Sequence, residues 1–219
     1  MNFAAIETSS DWCSVALWAH GEIAALERRA GHRHGELVLP MLERLLAQRG
    51  LSARALDAVA FGAGPGAFTG LRIACGVAQG LALARGIPVL GVSTLETVAE
   101  ESGAQRALVC LDARMREVYY SALERAPGGW RESVEAQCVA PAAAPLPPGE
   151  GWLGCGNGFA AYGEALRGRF GAALARVSAE VHPSAVALAR LAAPRLAAGQ
   201  GVEDRKSVVE GKSVFKGGS

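Results

Sequence analysis

Phe3–Thr8, Trp12–Trp18 and Ile23–Arg28 are three strand-like runs separated by very short turns, Ser9-Ser10-Asp11 and Gly21-Glu22. Directly after them the hydrophobic period lengthens to that of a helix. Turns this short allow only antiparallel neighbours, because a parallel partner needs a crossover of about a dozen residues or more. The chain therefore opens with a three-stranded meander. From His34 to Gln48, Leu37, Met41, Leu42, Leu45 and Leu46 share one helical stripe, and Gly50 takes the position that ends such a helix.

A short buried strand, Asp57–Phe61, then runs into Gly62-Ala63-Gly64-Pro65-Gly66-Ala67-Phe68-Thr69-Gly70, too rich in glycine for regular structure. The spacing predicts a helix over Leu71–Arg85 whose residues Ala74, Cys75, Gly76, Ala78, Gly80, Ala82 and Ala84 are nearly all small. Glycine costs about 1 kcal/mol relative to alanine inside a helix, so two of them suggest close backbone approach rather than propensity. Val89–Val92 reads as a strand, and Ser93-Thr94-Leu95-Glu96 as a capping box opening the next helix. The order βββαβαβα describes a sheet with a meander edge and helices packed on it.

The pattern then partly repeats. Ala107–Leu111, Glu117–Leu123 and Arg131–Val139 read as strands, the last two joined by Pro127-Gly128-Gly129, and Pro141–Pro148 reads as a semi-rigid connector. Trp152–Gly154 is a short strand, Gly156-Asn157-Gly158 a turn, and Phe159–Phe170 a helix. A last helix is expected over Pro183–Ala198, with the proline in its first turn. Two similar halves are expected, residues 1–103 and 104–203, the last helix being free to pack back on the first half.

With 50% hydrophobic and 20% charged residues the chain has ordinary globular composition. Its net charge of +1 and its lack of a basic, aromatic-interleaved run argue against holding RNA unaided. Its five cysteines (Cys13, Cys75, Cys110, Cys138, Cys155) are scattered without a C-x-x-C pair, which suits small buried hydrophobes in a reducing compartment better than disulfides or zinc. There is neither a leader-like start nor an apolar run of membrane length, so a soluble cytoplasmic protein without membrane partners is expected.

Four constellations could carry chemistry. Glu7, Thr8 and Ser9 end the first strand, where hydroxyls and amides can meet phosphate and an acid can hold a hydrated metal, though a plain hairpin explains them too. Gly64, Gly66, Thr69 and Gly70 precede a helix N-terminus suited to an anion. This is neither a Walker A loop nor G-x-G-x-x-G, and tight chain reversal and close helix packing account for the glycines equally well. His32 and His34 stand two apart, so on a helix they diverge, and a capping or surface role is favoured over a metal site. Asp112 and Arg114 leave a strand end ahead of Glu117, where an ion pair is the default.

Taken together the motifs resemble the TsaB (YeaZ) family. They are Ile6-Glu7-Thr8-Ser9-Ser10 with Cys13-Ser14-Val15-Ala16-Leu17, His34-Gly35-Glu36-Leu37-Val38-Leu39-Pro40, Gly64-Pro65-Gly66-Ala67-Phe68-Thr69-Gly70-Leu71-Arg72, and Asp112-Ala113-Arg114-Met115-Arg116-Glu117-Val118-Tyr119. They occur in the family's order and span residues 1 to about 198. The resemblance implies an α/β chain of the ASKHA (actin/hexokinase/Hsp70-like) fold, built from two ribonuclease-H-like halves. It implies a noncatalytic scaffold beside its catalytic paralogue TsaD and the ATPase TsaE, in a complex that forms N6-threonylcarbamoyladenosine at position 37 of tRNA. The tRNA would be met only through the complex, and ATP or ADP, if held at all, at an interface within it.

In TsaD an H-x-x-x-H pair holds the metal; here His34 is followed by Val38 at the second position, so the metal site is expected to be absent. The family's first two helices pack on those of TsaD or of a second copy. That implies a partner surface of Leu37, Met41, Leu42 and Leu45 with Ala74, Ala78 and Leu81, so Ala78→Arg would part the complex and spare the fold. The alternatives are a nucleotide-dependent phosphotransferase or ATPase of the same superfold using Glu7, Thr8 and the glycine loop, and, more remotely, an M22-like metallopeptidase. From residue 204 the composition changes: Lys206, Lys212 and Lys216 appear although residues 1–205 contain no lysine, and Lys-Ser-Val occurs twice. This tail, 204–219, reads as foreign to the rest of the chain.

Overall fold

The computed structural model describes residues 1–201, so the 204–219 tail lies outside the described residues. Two compact units emerge, Met1–Thr97 joined by the segment from Pro183, and Val98–His182. In the first unit, β1 (Phe3–Glu7), β2 (Trp12–Ala19) and β3 (Glu22–Arg29) form the expected meander. Parallel to β1 lies β4 (Ala58–Gly62), followed by β5 (Val89–Val92), which gives the order β3-β2-β1-β4-β5. The crossovers are α1 (His34–Gln48) and α2 (Phe68–Arg85). β1 is buried at every position because helices cover both of its faces. Ala4 and Ile6 join Val15, Leu17, Val59 and Phe61 in one core with α1 and α2. On the opposite face the Ser14 hydroxyl accepts the Ala185 amide of α5 (Ala185–Ala197) at 2.9 Å.

The second unit repeats the plan. β6 (Arg106–Arg114), β7 (Glu117–Ala126) and β8 (Gly129–Val139) form a meander, and β9 (Trp152–Cys155) and β10 (Leu174–Ser178) add in parallel on the other side. α4 (Gly158–Phe170) packs Phe159, Leu166 and Phe170 into a core with Leu108, Tyr120 and Trp152. The connector is pinned to that core, the Tyr120 hydroxyl donating to Pro145 O at 3.0 Å and the Trp152 indole to Pro148 O at 3.2 Å. The shared strand order, meander on one side and parallel pair on the other, is the arrangement that two ribonuclease-H-like halves of an ASKHA chain require.

Several element expectations change. α2 begins three residues before Leu71. Pro183 precedes the last helix, whose cap is Ser184 with its hydroxyl accepting the Ala187 amide at 3.1 Å. β10 was not expected: it is a five-residue edge strand without a buried alternation to announce it. Between the units the chain runs through α3 (Thr94–Ser102), and no helix among the described residues is long and apolar enough to cross a membrane.

Candidate functional site

The β1–β2 turn and the glycine loop are locked together by backbone. The Thr8 hydroxyl donates to Gly70 O at 2.7 Å, and the Ala67 amide donates to Ser9 O at 2.8 Å. A Cβ on Gly66 would stand 2.6 Å from Ser9 O, and one on Gly70 would overlap Thr8 O. Glycine is required here because two backbones touch, and Gly66 and Gly70 face the hairpin of their own unit. Thr69 is exposed in the first turn of α2, and the Gly64 carbonyl accepts the Thr94 amide at 2.8 Å.

Glu7 lies fully buried beneath this loop, its carboxylate against Gly62, where any side chain would collide with it. One carboxylate oxygen accepts the Ser9 amide at 2.7 Å; the other has no hydrogen-bond partner among the described residues, and the same holds for the buried Ser9 and Thr94 hydroxyls. Burial pushes the Glu7 carboxyl above its usual range, and the Ser9 and Thr8 groups around it offset this only in part.

His34 corrects an expectation. Rather than capping a helix at the surface, it is buried, and its Nε2 lies 2.9 Å from the Ser10 carbonyl. A carbonyl can only accept, so Nε2 carries the proton. His34 thus clasps the start of α1 to the β1–β2 turn, whereas His32 is exposed. Among the described residues no group of three or more His, Cys, Asp or Glu could hold a metal ion.

The implied partner surface divides. Met41, Leu42, Leu45, Ala74 and Ala78 are buried in the core of their own unit, and Leu37 and Leu81 are half-buried at its margin. Ala78 is 0% exposed, so an arginine there strikes the core and cannot test a surface. What α2 presents outward is different: Phe68 (65% exposed), Arg72, Gly76, Gly80 and Leu83 (61% exposed). The Arg72 guanidinium stacks 3.9 Å from the Phe68 ring centroid, and a Cβ on Gly76 or Gly80 would meet nothing within 4 Å. Gly35 of α1 faces Ile73 of α2, and exposed Leu39 stands one turn along from it. At 100° per residue Gly76 and Gly80 lie roughly opposite Ala74 and Ala78, a separation available from the sequence.

In the second unit Asp112, Arg114 and Glu117 do come together, around the β6–β7 turn. Asp112 Oδ1 accepts the Arg114 amide at 2.8 Å and the Tyr162 hydroxyl at 3.1 Å, while Asn157 Oδ1 accepts the Asp112 amide at 2.9 Å. The Arg114 guanidinium lies 3.5 Å from Asp112 Oδ2, and Glu117 accepts from the Cys138 thiol at 3.4 Å. That thiol is raised to about 11 by burial and by Glu117, far from a reactive range. Tyr162 and Asn157 were not singled out in the sequence; only their position on α4 and its preceding turn brings them to the motif.

Comparison with known proteins now bears on this architecture. The chain matches the family model described as "TsaD: tRNA N6-adenosine threonylcarbamoyltransferase" over residues 27–204. It is 42% identical over 143 residues to the tRNA threonylcarbamoyladenosine biosynthesis protein TsaB of Escherichia coli, covering 64% of this chain and 62% of that one. The corresponding protein of Haemophilus influenzae is 37% identical over 153 residues, covering 64% of this chain and 65% of the relative. The chain thus matches somewhat less than two thirds of the length of these curated relatives. Among solved structures, YeaZ from Pseudomonas aeruginosa superposes with a TM-score of 0.85 at 35% identity, covering 100% of this chain and 99% of that one. A second, described as an uncharacterized protein with similarity to peptidase YEAZ from Pseudomonas aeruginosa, gives a TM-score of 0.85 at 38% identity, covering 92% of this chain and 94% of that one. With two units of matching topology, a family match over most of its length and YeaZ neighbours end to end, the chain belongs to the TsaD-related family of tRNA threonylcarbamoyladenosine proteins, in its TsaB/YeaZ group.

Proposed function

We propose that the chain is a noncatalytic subunit that binds and activates a TsaD-type transferase, with a TsaE-type ATPase as a third member. The complex forms N6-threonylcarbamoyladenosine at position 37 of tRNA. The names of its relatives, tRNA threonylcarbamoyladenosine biosynthesis proteins, support the pathway. The observation that carries the binding role is the outward face of α2. Gly76 and Gly80 sit mid-helix at a cost of about 1 kcal/mol each, yet nothing in their own unit comes near them. Flanked by exposed Leu83 and Phe68, with Leu39 nearby on α1, they leave a shallow apolar strip on which another helix can approach closely.

This moves the interface from Ala74 and Ala78 to the opposite side of the same helix. Gly80→Arg is expected to leave the chain folded with a Tm no lower than the parent's, since the helix gains propensity, and to abolish co-elution with the TsaD-type protein of the same organism. Co-elution unchanged by Gly80→Arg would defeat the reading.

The phosphotransferase alternative draws on Glu7, Thr8, Ser9 and the Gly64–Gly70 loop. Those groups already hold the hairpin and loop against each other, so the tight approach at Gly66 and Gly70 is accounted for by contacts within the unit. Titration of the isolated chain with ATP and magnesium tests it: tight binding with turnover would favour that class.

A further inference from the structure

Three buried oxygens near the carboxyl end of β1 have no hydrogen-bond partner among the described residues: Glu7 Oε2, Ser9 Oγ and Thr94 Oγ1. Glu7 is 0% exposed, Ser9 5% and Thr94 1%. Leaving a buried polar group unpaired costs more than a typical hydrogen bond contributes, so such atoms are paired with protein or with enclosed water. Among the described residues no other buried side-chain nitrogen or oxygen is left in this condition.

The fold brings the three to one place. Glu7 pairs with Ser14 across the β1–β2 ladder, so its side chain points to the face that α5 covers. β4 lies between β1 and β5, and the Glu7 carboxylate stands over Gly62, a β4 residue without a side chain. That position sets the carboxylate between β1 and the end of β5, where Val92 pairs with Gly62. Thr94 follows as the first residue of α3, its amide donating to the Gly64 carbonyl at 2.8 Å. Ser9 closes the near side, its amide already on Glu7 Oε1 at 2.7 Å.

We infer that Glu7 Oε2, Ser9 Oγ and Thr94 Oγ1 together bind one internal water. The chemistry of the site decides among ligands. An anion would bring a second negative charge beside a buried carboxyl that no cation offsets. A hard, oxygen-binding metal ion takes about six or more oxygens, and three are open here. An enclosed water makes about three hydrogen bonds, which is what these atoms offer. It donates to Glu7 Oε2, an acceptor only when ionised, while each hydroxyl can donate to it or accept from it. A neutral water satisfies that oxygen without neutralising it, so the cost of a buried charge remains. On the α3 side the water is the counterpart of the direct bonds Thr8–Gly70 and Ser9–Ala67, which tie the β1–β2 turn to the start of α2. The site belongs to the chain by itself and stands apart from the reading of its partners.

Two measurements on the full chain test this. Oxygen-17 magnetic relaxation dispersion counts the waters held for long inside a protein. Thr94→Val, which exchanges the hydroxyl for a methyl of the same shape, should lower that count by one. It should also lower Tm by a few degrees, whereas removing a hydroxyl that truly has no partner would raise it. Ser9→Ala should act likewise. The double variant should lose clearly less than the sum of the two losses, because both substitutions act through one water. An unchanged count for Thr94→Val, a raised Tm, or strictly additive losses overturns the water. So does a crystal structure with the two hydroxyls turned directly onto Glu7, or with a metal ion between the three oxygens; a water within hydrogen-bond distance of all three upholds it.

Discussion

On the sheet side of α2, Gly70, Ala74, Ala78 and Ala82 lie buried, while on its other side Arg72, Gly76, Gly80 and Leu83 face outward. Both faces carry small residues at mid-helix, yet for opposite reasons. The inner residues are small because β1, β4 and the β1–β2 turn leave no space, as the collision awaiting any side chain at Gly70 shows. The outer glycines have open space above them and lower the helix's own stability. Smallness explained by packing belongs to the fold. Smallness that the fold leaves unexplained points to something outside the chain.

Substitutions that fill each face should separate the two. Ala78→Arg is expected to have the largest effect: a guanidinium introduced at a fully buried position without a partner should leave no cooperative thermal transition. A variant that still melts cooperatively near the parent Tm would erase the distinction between the faces. Gly70→Ala comes next. Its methyl meets backbone rather than a movable side chain, so a loss of about 3 kcal/mol is expected in denaturant unfolding.

How far this contrast was legible in the sequence depends on what kind of signal each residue gives. The meander and α1 were legible because their periods differ, and the boundaries of α1 fall where His34 and Gly50 suggest. The small residues of α2 announced close approach but not its direction. Ala74 and Gly76 look alike as letters, and only their helical angles, roughly opposite, assign one to the sheet and the other to the outside. His34 read as a surface or capping residue because its acceptor, the Ser10 carbonyl, is a backbone group 24 positions away. β10 was missed because an edge strand has less need of a buried alternation. Tyr162 gave no warning, since its role depends on a kink in α4 and on Asp112, 50 positions away.

On the outer face the expected change has the opposite sign. Gly76→Ala and Gly80→Ala should each stabilise the isolated chain by about 1 kcal/mol, because the added methyl meets nothing and the helix gains propensity. The same substitutions should weaken association with the TsaD-type protein, and Gly80→Ala in combination with Gly76→Ala more than either alone. Stabilisation without any loss of association would mean that the outer glycines face solvent in the complex as well.

The smallest expected effect lies at the junction that holds the inner face in place. Burial raises the Glu7 carboxyl, so the folded state favours its neutral form more than the unfolded chain does. A raised folded value means that the stabilising contribution is complete below the unfolded carboxylate range and is lost as pH rises through the folded value. At neutral pH the protein therefore carries either a buried charge with one unpartnered oxygen or the cost of taking up a proton. Glu7→Gln removes that choice and keeps an oxygen for the Ser9 amide. Its Tm should exceed that of the parent at pH 7, and the difference should shrink towards zero as pH falls to 4. A constant difference across that range would show that the substitution acts by shape, and a lower Tm at pH 7 would show that the Glu7 charge is compensated by something that meets its free oxygen.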